Sequence, residues 1–354
     1  MTHVHVVLPN DIDDPATPSG GNAYDRQVCR GLAARGWRVT EHAVPGAWPR
    51  PSAAERAGLA HVLDRVPGDA VVLLDGLVAS AVPEILVPAA RRLRPVVLVH
   101  LPLDDASERE VLTAARAVVT TSAWTRRRLL DLYPLPADRV HVATPGVEPA
   151  PLAPGSGAGS ELLCVAAVTP HKGHDVLVDG LAKVADAPWT CTCVGALSRD
   201  PAFVDRLRRQ LAEVGLADRI RLVGPRTGAD LDATYAAADL LVLASRGETY
   251  GMVVTEALAR GIPVLATATG GLPEALGSAP DGSLPGVLVE PDAELAVGAA
   301  GADPAAMADA LRRWLYEPEL RRRLRRSARA RRTTLTGWAV TAELISNVLK
   351  GVSA

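Results

Sequence analysis

A single phenylalanine occurs in 354 residues, and aromatic residues of all kinds make up only 3%. Binding platforms for single-stranded nucleic acid need interleaved aromatic rings, so no nucleic-acid partner is expected. The hydrophobic cores have to be built from Val, Leu and Ala. Cysteine is also scarce: Cys29, Cys164, Cys191 and Cys193. None stands at zinc-finger spacing from another cysteine or a histidine. The Cys191–Cys193 pair falls in an apolar alternating run, which reads as a strand with buried structural thiols, and no metal is expected. Lysine is rarer still, with Lys172, Lys183 and Lys350 alone. No apolar run approaches the ~20 residues that a membrane span needs. The strand-like start, His3–Pro9, has no basic segment before it, so a cytoplasmic protein is expected. The net charge of −2 supplies no overall attraction to a polyanion.

What is present is apolar material, 48% of the chain, enough for two cores, and a length beyond what one core usually organises. Apolar, β-branched runs at His3–Pro9, Arg38–Val44, Ala70–Leu74, Pro95–His100, Ala117–Thr121 and Arg139–Ala143 alternate with amphipathic stretches such as Tyr24–Arg35 and Ala106–Ala115. Strands that are apolar throughout and separated by helices predict a parallel sheet covered on both faces. Residues 148–160 then read EPAPLAPGSGAGS, in which Pro and Gly leave no periodicity, and this is a linker. The alternation restarts with strands at Leu162–Val168, Thr190–Val194, Ile220–Val223, Leu240–Ala244, Val264–Thr267 and Val287–Val289. Helices fall between them at Asp175–Val184, Pro201–Glu213, Gly228–Ala237 and Met252–Arg260. The expected architecture is α/β: two Rossmann-like, doubly wound domains facing across a cleft, residues 1–150 and 151–335. The tail Pro304–Lys350 reads as helical, and 336–354 as a C-terminal helix crossing back to the N-terminal domain. Residues 312–332 carry ten arginines. Their spacing suits a solvated helix, with a peripheral anionic membrane contact as the alternative.

Chemistry concentrates at Ala244–Gly271. A strand ends near Ala244, a polar loop follows, and a helix starts near Met252, stopped by Gly261 and Pro263. The N–H groups of Tyr250, Gly251, Met252 and Val253 then form an anion site at a strand's carboxyl end. Glu248 and Glu256 flank that position, and each carboxylate can accept two hydroxyl protons. Either glutamate alone also suits an ordinary loop or helix-start charge. The pair, Gly251 between them and Gly270-Gly271 afterwards favour a binding site.

These residues resemble the E-x7-E signature of retaining glycosyltransferases of the GT-B fold, the family 4 (glycosyl transferases group 1) type. Other segments fall in the family's order: SGGN at 19–22 with LAARGWRV at 32–39, VVLVHLP at 96–102, TTSAWTRRRL at 120–129, TPGVEPAPL at 144–152, VTPHKGHDVLVDGLA at 168–182 and TGGLPEAL at 269–276. The resemblance implies a metal-independent hexosyltransferase without a cofactor, which moves a sugar from a nucleotide-diphosphate sugar, UDP- or GDP-linked, to an acceptor hydroxyl with retention of configuration. It further implies that Glu248 bonds the sugar's hydroxyls, Glu256 holds the ribose and Lys172 neutralises the diphosphate. Gly21, with Gly20 beside it, would let backbone approach the β-phosphate, and His100 would contact the sugar. Gly20-Gly21 equally suits a tight turn, and His100 a core histidine. Asp75, at a strand end, is a candidate acceptor contact.

One departure stands out. The family places an Arg five residues before the Lys, where this chain has Ala166-Ala167. Arg246, Arg226 and His171 are the candidate replacements, with Arg246 favoured because it shares the loop with Glu248. A sugar-nucleotide epimerase or phosphorylase on the same fold is the alternative enzyme class, although Lys183 and Lys350 lie in no motif that a Schiff-base phosphorylase would need. A nucleotide-sugar-binding module without catalysis is the non-enzyme alternative.

Overall fold

A computed structural model describes residues 2–291 and 303–353. It divides into two compact units: Met1–Asp14 with Ser19–Gly146 and Gly337–Ala354, and Pro15–Pro18 with Val147–Thr336.

The first unit is a six-stranded parallel sheet: β1 (His3–Pro9), β2 (Arg38–Val44), β3 (Val71–Asp75), β4 (Arg94–Val99), β5 (Ala117–Thr120) and β6 (Val140–Val142), in the order β2-β1-β3-β4-β5-β6. β3 and β5 are buried along their whole length, and β4 at every residue after Arg94, as strands covered on both faces must be. Helices are started by short polar side chains that accept a bond from the first turn: Ser19 from the Asn22 amide, Asp105 from Glu108, and Ser122 from Thr125. The last helix, Trp338–Ser353, packs within this unit, where Ser346 Oγ accepts from Trp37 Nε1 at 2.9 Å and Thr341 Oγ1 donates to the Thr144 carbonyl at 2.8 Å.

The second unit repeats the plan with β7 (Glu161–Val165), β8 (Thr190–Val194), β9 (Ile220–Leu222), β10 (Leu240–Leu243), β11 (Val264–Thr267) and β12 (Gly286–Val289), in the order β12-β11-β10-β7-β8-β9. Its core is the Leu, Val and Ala mass expected from so few aromatics, with Trp314 and Tyr235 as its largest fully buried side chains. Among the described residues, the tail is helical, with helices at Pro304–Tyr316, Pro318–Arg331 and Trp338–Ser353. No helix among the described residues is long and apolar enough to cross a membrane.

The arginine-rich stretch has the solvated face expected of it at Arg312, Arg313, Arg322, Arg323, Arg326 and Arg329, which are exposed, and four further arginines turn back onto the protein. Arg321 donates to the Trp314 and Leu315 carbonyls, Arg325 pairs with buried Asp239, Arg331 donates to the Leu276 carbonyl, and Arg332 to those of Ala259 and Ala150. These four guanidinium groups fasten the segment to its own unit.

Strand order decides where a ligand can sit. In each sheet the chain winds one way from a central strand and then returns to that strand's other side. This leaves a crevice beyond the strands' carboxyl ends. In the first unit the reversal lies between β1 and β3; in the second, between β7 and β10.

Candidate active site

The β7–β10 reversal brings Lys172 and Glu248 together across 76 residues of sequence. Lys172 closes a single 3-10 turn, Pro170–Lys172, after β7; Glu248 lies in the loop after β10. Lys172 Nζ donates to Glu248 Oε1 at 2.5 Å, and Ser245 Oγ donates to the same oxygen at 3.2 Å. The pair is partly open, the lysine more than the glutamate. A cation and a carboxylate held at one crevice can separate to serve an anion and a set of hydroxyls.

The loop's backbone is held from behind. The Gly271 amide donates to the Glu248 carbonyl at 2.8 Å, and Gly270 has φ of +58°. A Cβ on Gly270 would stand 1.7 Å from the Glu248 carbonyl oxygen, so any other residue would displace the loop. The helix Met252–Ala259 begins just beyond, and no side chain caps its N-terminus. The N–H groups at Met252 and Val253 thus sit at a helix start oriented to favour negative charge. Tyr250 contributes backbone only, since its ring belongs to the hydrophobic core.

Glu256 lies further along that helix. Its Oε2 accepts from the Tyr235 hydroxyl at 2.8 Å. Burial raises its pKa above the ordinary carboxylate range, opposed by the Tyr235 bond and the charge of Arg260. Arg260 lies over the Tyr235 ring, 4.5 Å from its centroid, and donates to the Glu256 carbonyl. This bracing network fixes the carboxylate and was not legible in the sequence.

The proposed substitutes for the missing arginine fare differently. Arg246 forms a two-pronged pair with Asp175, at 2.9 and 2.7 Å, and also donates to the Pro170 carbonyl. Its charge is therefore already neutralised, and it ties the Glu248 loop to the Lys172 segment. Arg226 donates to Thr234 Oγ1 at 2.6 Å. His171 is held below its ordinary pKa by loss of surrounding solvent and then by the Lys172 charge, so it is neutral at pH 7 and supplies no cation. If Arg246 acts by positioning, Arg246→Ala and Asp175→Asn should both weaken donor binding severalfold in isothermal titration. Tighter binding in Asp175→Asn, with its arginine released, would instead mean that Arg246 contacts phosphate directly.

In the first unit, the β1–β3 reversal gathers a second polar cluster. His100 follows β4, and its Nε2 bonds Asp25 Oδ1 at 2.7 Å and stands 3.8 Å from Asp75 Oδ2. The two aspartates are 2% and 4% exposed. Asp75, offered above as an acceptor contact, is instead buried at the end of β3, where its Oδ1 accepts from the Leu77 and Val78 amides. Burial, and then the neighbouring Asp25, push its pKa up to about 7. Burial alone would lower that of His100, but the charge and hydrogen bond of Asp25 and the charge of Asp75 outweigh it, and the pKa is raised.

Gly21 sits against the same imidazole. A Cβ there would be 3.3 Å from the His100 ring, and Tyr24 meets the ring edge-on at 5.3 Å. Gly21, Tyr24 and Asp25 share one helix face at i, i+3 and i+4. Gly20 is the first residue of that helix, behind the Ser19 cap. Asp25 was overlooked in the sequence. Its signal is an acid within the otherwise apolar face of Tyr24, Val28 and Leu32.

Residues 157–331 match the family Glycosyl transferases group 1. The D-inositol 3-phosphate glycosyltransferase of Frankia alni is 34% identical over 253 residues, 66% of this chain and 58% of that protein. The chain thus spans less than two thirds of the length of this relative. Among solved structures, sucrose-phosphate synthase from Thermosynechococcus elongatus superposes with a TM-score of 0.76 at 20% identity, covering 99% of both chains. The Anabaena protein HepE in complex with UDP-glucose gives 0.75 at 16% identity, covering 99% of this chain and all of that one. Both sheets and their strand orders thus fall within one known architecture: the chain has the GT-B fold, and residues 157–331, in its second unit, belong to the glycosyl transferases group 1 family.

Proposed function

We propose that the protein is a retaining glycosyltransferase that takes a hexosyl group from a nucleotide-diphosphate sugar to an acceptor hydroxyl. The observation that carries this reading is the Lys172–Glu248 pair at the β7–β10 crevice, beside the uncapped start of the helix Met252–Ala259.

The chemical task is to break a C–O bond between a sugar and a diphosphate. Negative charge grows on the leaving phosphate, and Lys172 with the N–H groups of Met252 and Val253 offers fixed positive charge to it. Glu248, released from Lys172 as the phosphate arrives, accepts from the sugar's hydroxyls, and Glu256 from the ribose. The leaving phosphate can take the acceptor's proton, so no separate protein base is demanded. His100 is assigned a sugar-hydroxyl contact on the family resemblance.

UDP-glucose, the ligand in the Anabaena structure, is the first donor to test, with GDP-sugars second. D-inositol 3-phosphate, named in the Frankia alni relative, is the first acceptor. Product configuration by NMR decides the mechanism: the anomeric configuration of the donor should persist, and an inverted product would overturn the assignment. Slow donor hydrolysis without acceptor is expected of an enzyme; a pure binding module would show binding and no hydrolysis.

A further inference from the structure

Three soft donor side chains meet beneath the segment that carries Lys172. Cys164 lies on β7, Cys193 is its register partner on β8, and His174 is the first residue of the helix His174–Ala182. All three are buried, at 1%, 2% and 1% exposure. Cys164 Sγ and His174 Nε2 are 3.7 Å apart, and the three potential ligand atoms all lie within 4.8 Å of one another.

A tetrahedral zinc ion, with bonds of about 2.3 Å to sulfur and 2.0–2.1 Å to nitrogen, requires S–N edges of roughly 3.6 Å and S–S edges of roughly 3.8 Å. The Cys164–His174 edge already has that length. His174 Nδ1 is buried without a hydrogen-bond partner among the described residues, so Nε2, 3.7 Å from Cys164 Sγ, is the ring nitrogen engaged with the thiols. Charge also balances. A divalent ion displaces two thiol protons, forms two thiolate bonds and one imidazole bond, keeps one of its own waters as the fourth ligand, and leaves the site neutral.

We propose that Cys164, His174 and Cys193 form a structural binding site for a thiophilic divalent cation with a filled d shell, zinc in the first instance. The cation takes no part in sugar transfer. Its effect runs through the chain: His174 is two residues from Lys172, and between them Gly173 has φ of +65° with no room for a Cβ, which would lie 1.9 Å from the Ala244 carbonyl oxygen. An ion on His174 therefore fixes the Lys172 turn against the end of β10. That consequence, unlike the site itself, rests on the function proposed above.

The test uses the full chain, stripped with a chelator under reducing conditions and titrated with Co2+ and then Zn2+. Expected are about one equivalent bound per chain, a thiolate-to-cobalt charge-transfer band, and about two protons released per ion. Cys164→Ser and Cys193→Ser should each lower affinity at least about tenfold, while Cys29→Ser in the first unit should not. Should the serine variants misfold, X-ray absorption at the zinc edge of the wild type replaces them, with two sulfur ligands and at least one nitrogen expected. A missing cobalt band, a band unchanged in both serine variants, or a zinc shell without sulfur would overturn the site. Zinc binding that leaves UDP affinity unchanged supports the site and overturns its link to Lys172.

Discussion

Replacing Lys172 with alanine should lower kcat/KM for the nucleotide-sugar donor by about a thousandfold. A unit charge about 4 Å from a developing phosphate charge, at an effective dielectric near 20, is worth roughly 4 kcal/mol before desolvation. The family's second cation is not available to soften the loss. Ala166-Ala167 stand where the resemblance places it, Arg246 is matched by Asp175, and His171 is neutral. Lys172→Arg should recover only part, because the longer planar group must displace the tight contact with Glu248. Glu248→Gln should cost activity as well. The double variant should fall short of the sum of the two losses by about 1 kcal/mol or more, since the two groups touch. Steady-state kinetics on the wild type and the four variants measures this. An activity within threefold of wild type in Lys172→Ala would remove the lysine from the diphosphate site.

The second large effect concerns stability and its dependence on pH. Asp75 has a folded-state pKa of about 7 against an ordinary value of 3.8. Between those values the folded protein holds a proton that the unfolded chain has released, so stability falls as pH rises from about 4 to 7. His100 acts in the same direction. Its folded pKa is raised above 6.5, so its contribution is present below that value and is lost as pH rises through the folded pKa. Asp75→Asn keeps an oxygen to accept from the Leu77 and Val78 amides and removes the buried charge. The variant should gain on the wild type steadily from pH 4 to 7.5, by up to roughly 4 kcal/mol from a shift of about three units. Urea unfolding of both proteins across that range is the measurement, and the difference between them cancels the remaining carboxylates. A constant difference with pH would mean that Asp75 stays ionised throughout.

The two clusters differ in how far they could be read in advance. Lys172, Glu248 and Glu256 lie in segments whose local chemistry is visible: a strand end, a polar loop, a helix start and glycines where backbone must pass closely. Local rules act over a few residues, so a linear reading can find them. Asp25 and Asp175 were missed because each matters through distant partners, His100 and Asp75 in the first case and Arg246 in the second. The arginine-rich tail was legible only in part, for a related reason. Helical spacing tells which residues share a face, but not that Asp239 and several backbone carbonyls lie opposite that face.

The sequence by itself determined the parallel α/β character, the repeated plan, nearly every strand to within a residue or two, and the glutamate pair around a helix start. Periodicity and backbone propensity are local properties, and these features follow from them. Only the tertiary structure decided that Lys172 meets Glu248, that Arg246 is matched by Asp175, that His100 shares its environment with two buried aspartates, and that two cysteines and a histidine converge in one core. Strand order makes neighbours of residues far apart in the chain, and burial then sets the strength of their charges. Neither is a property of any short stretch of sequence.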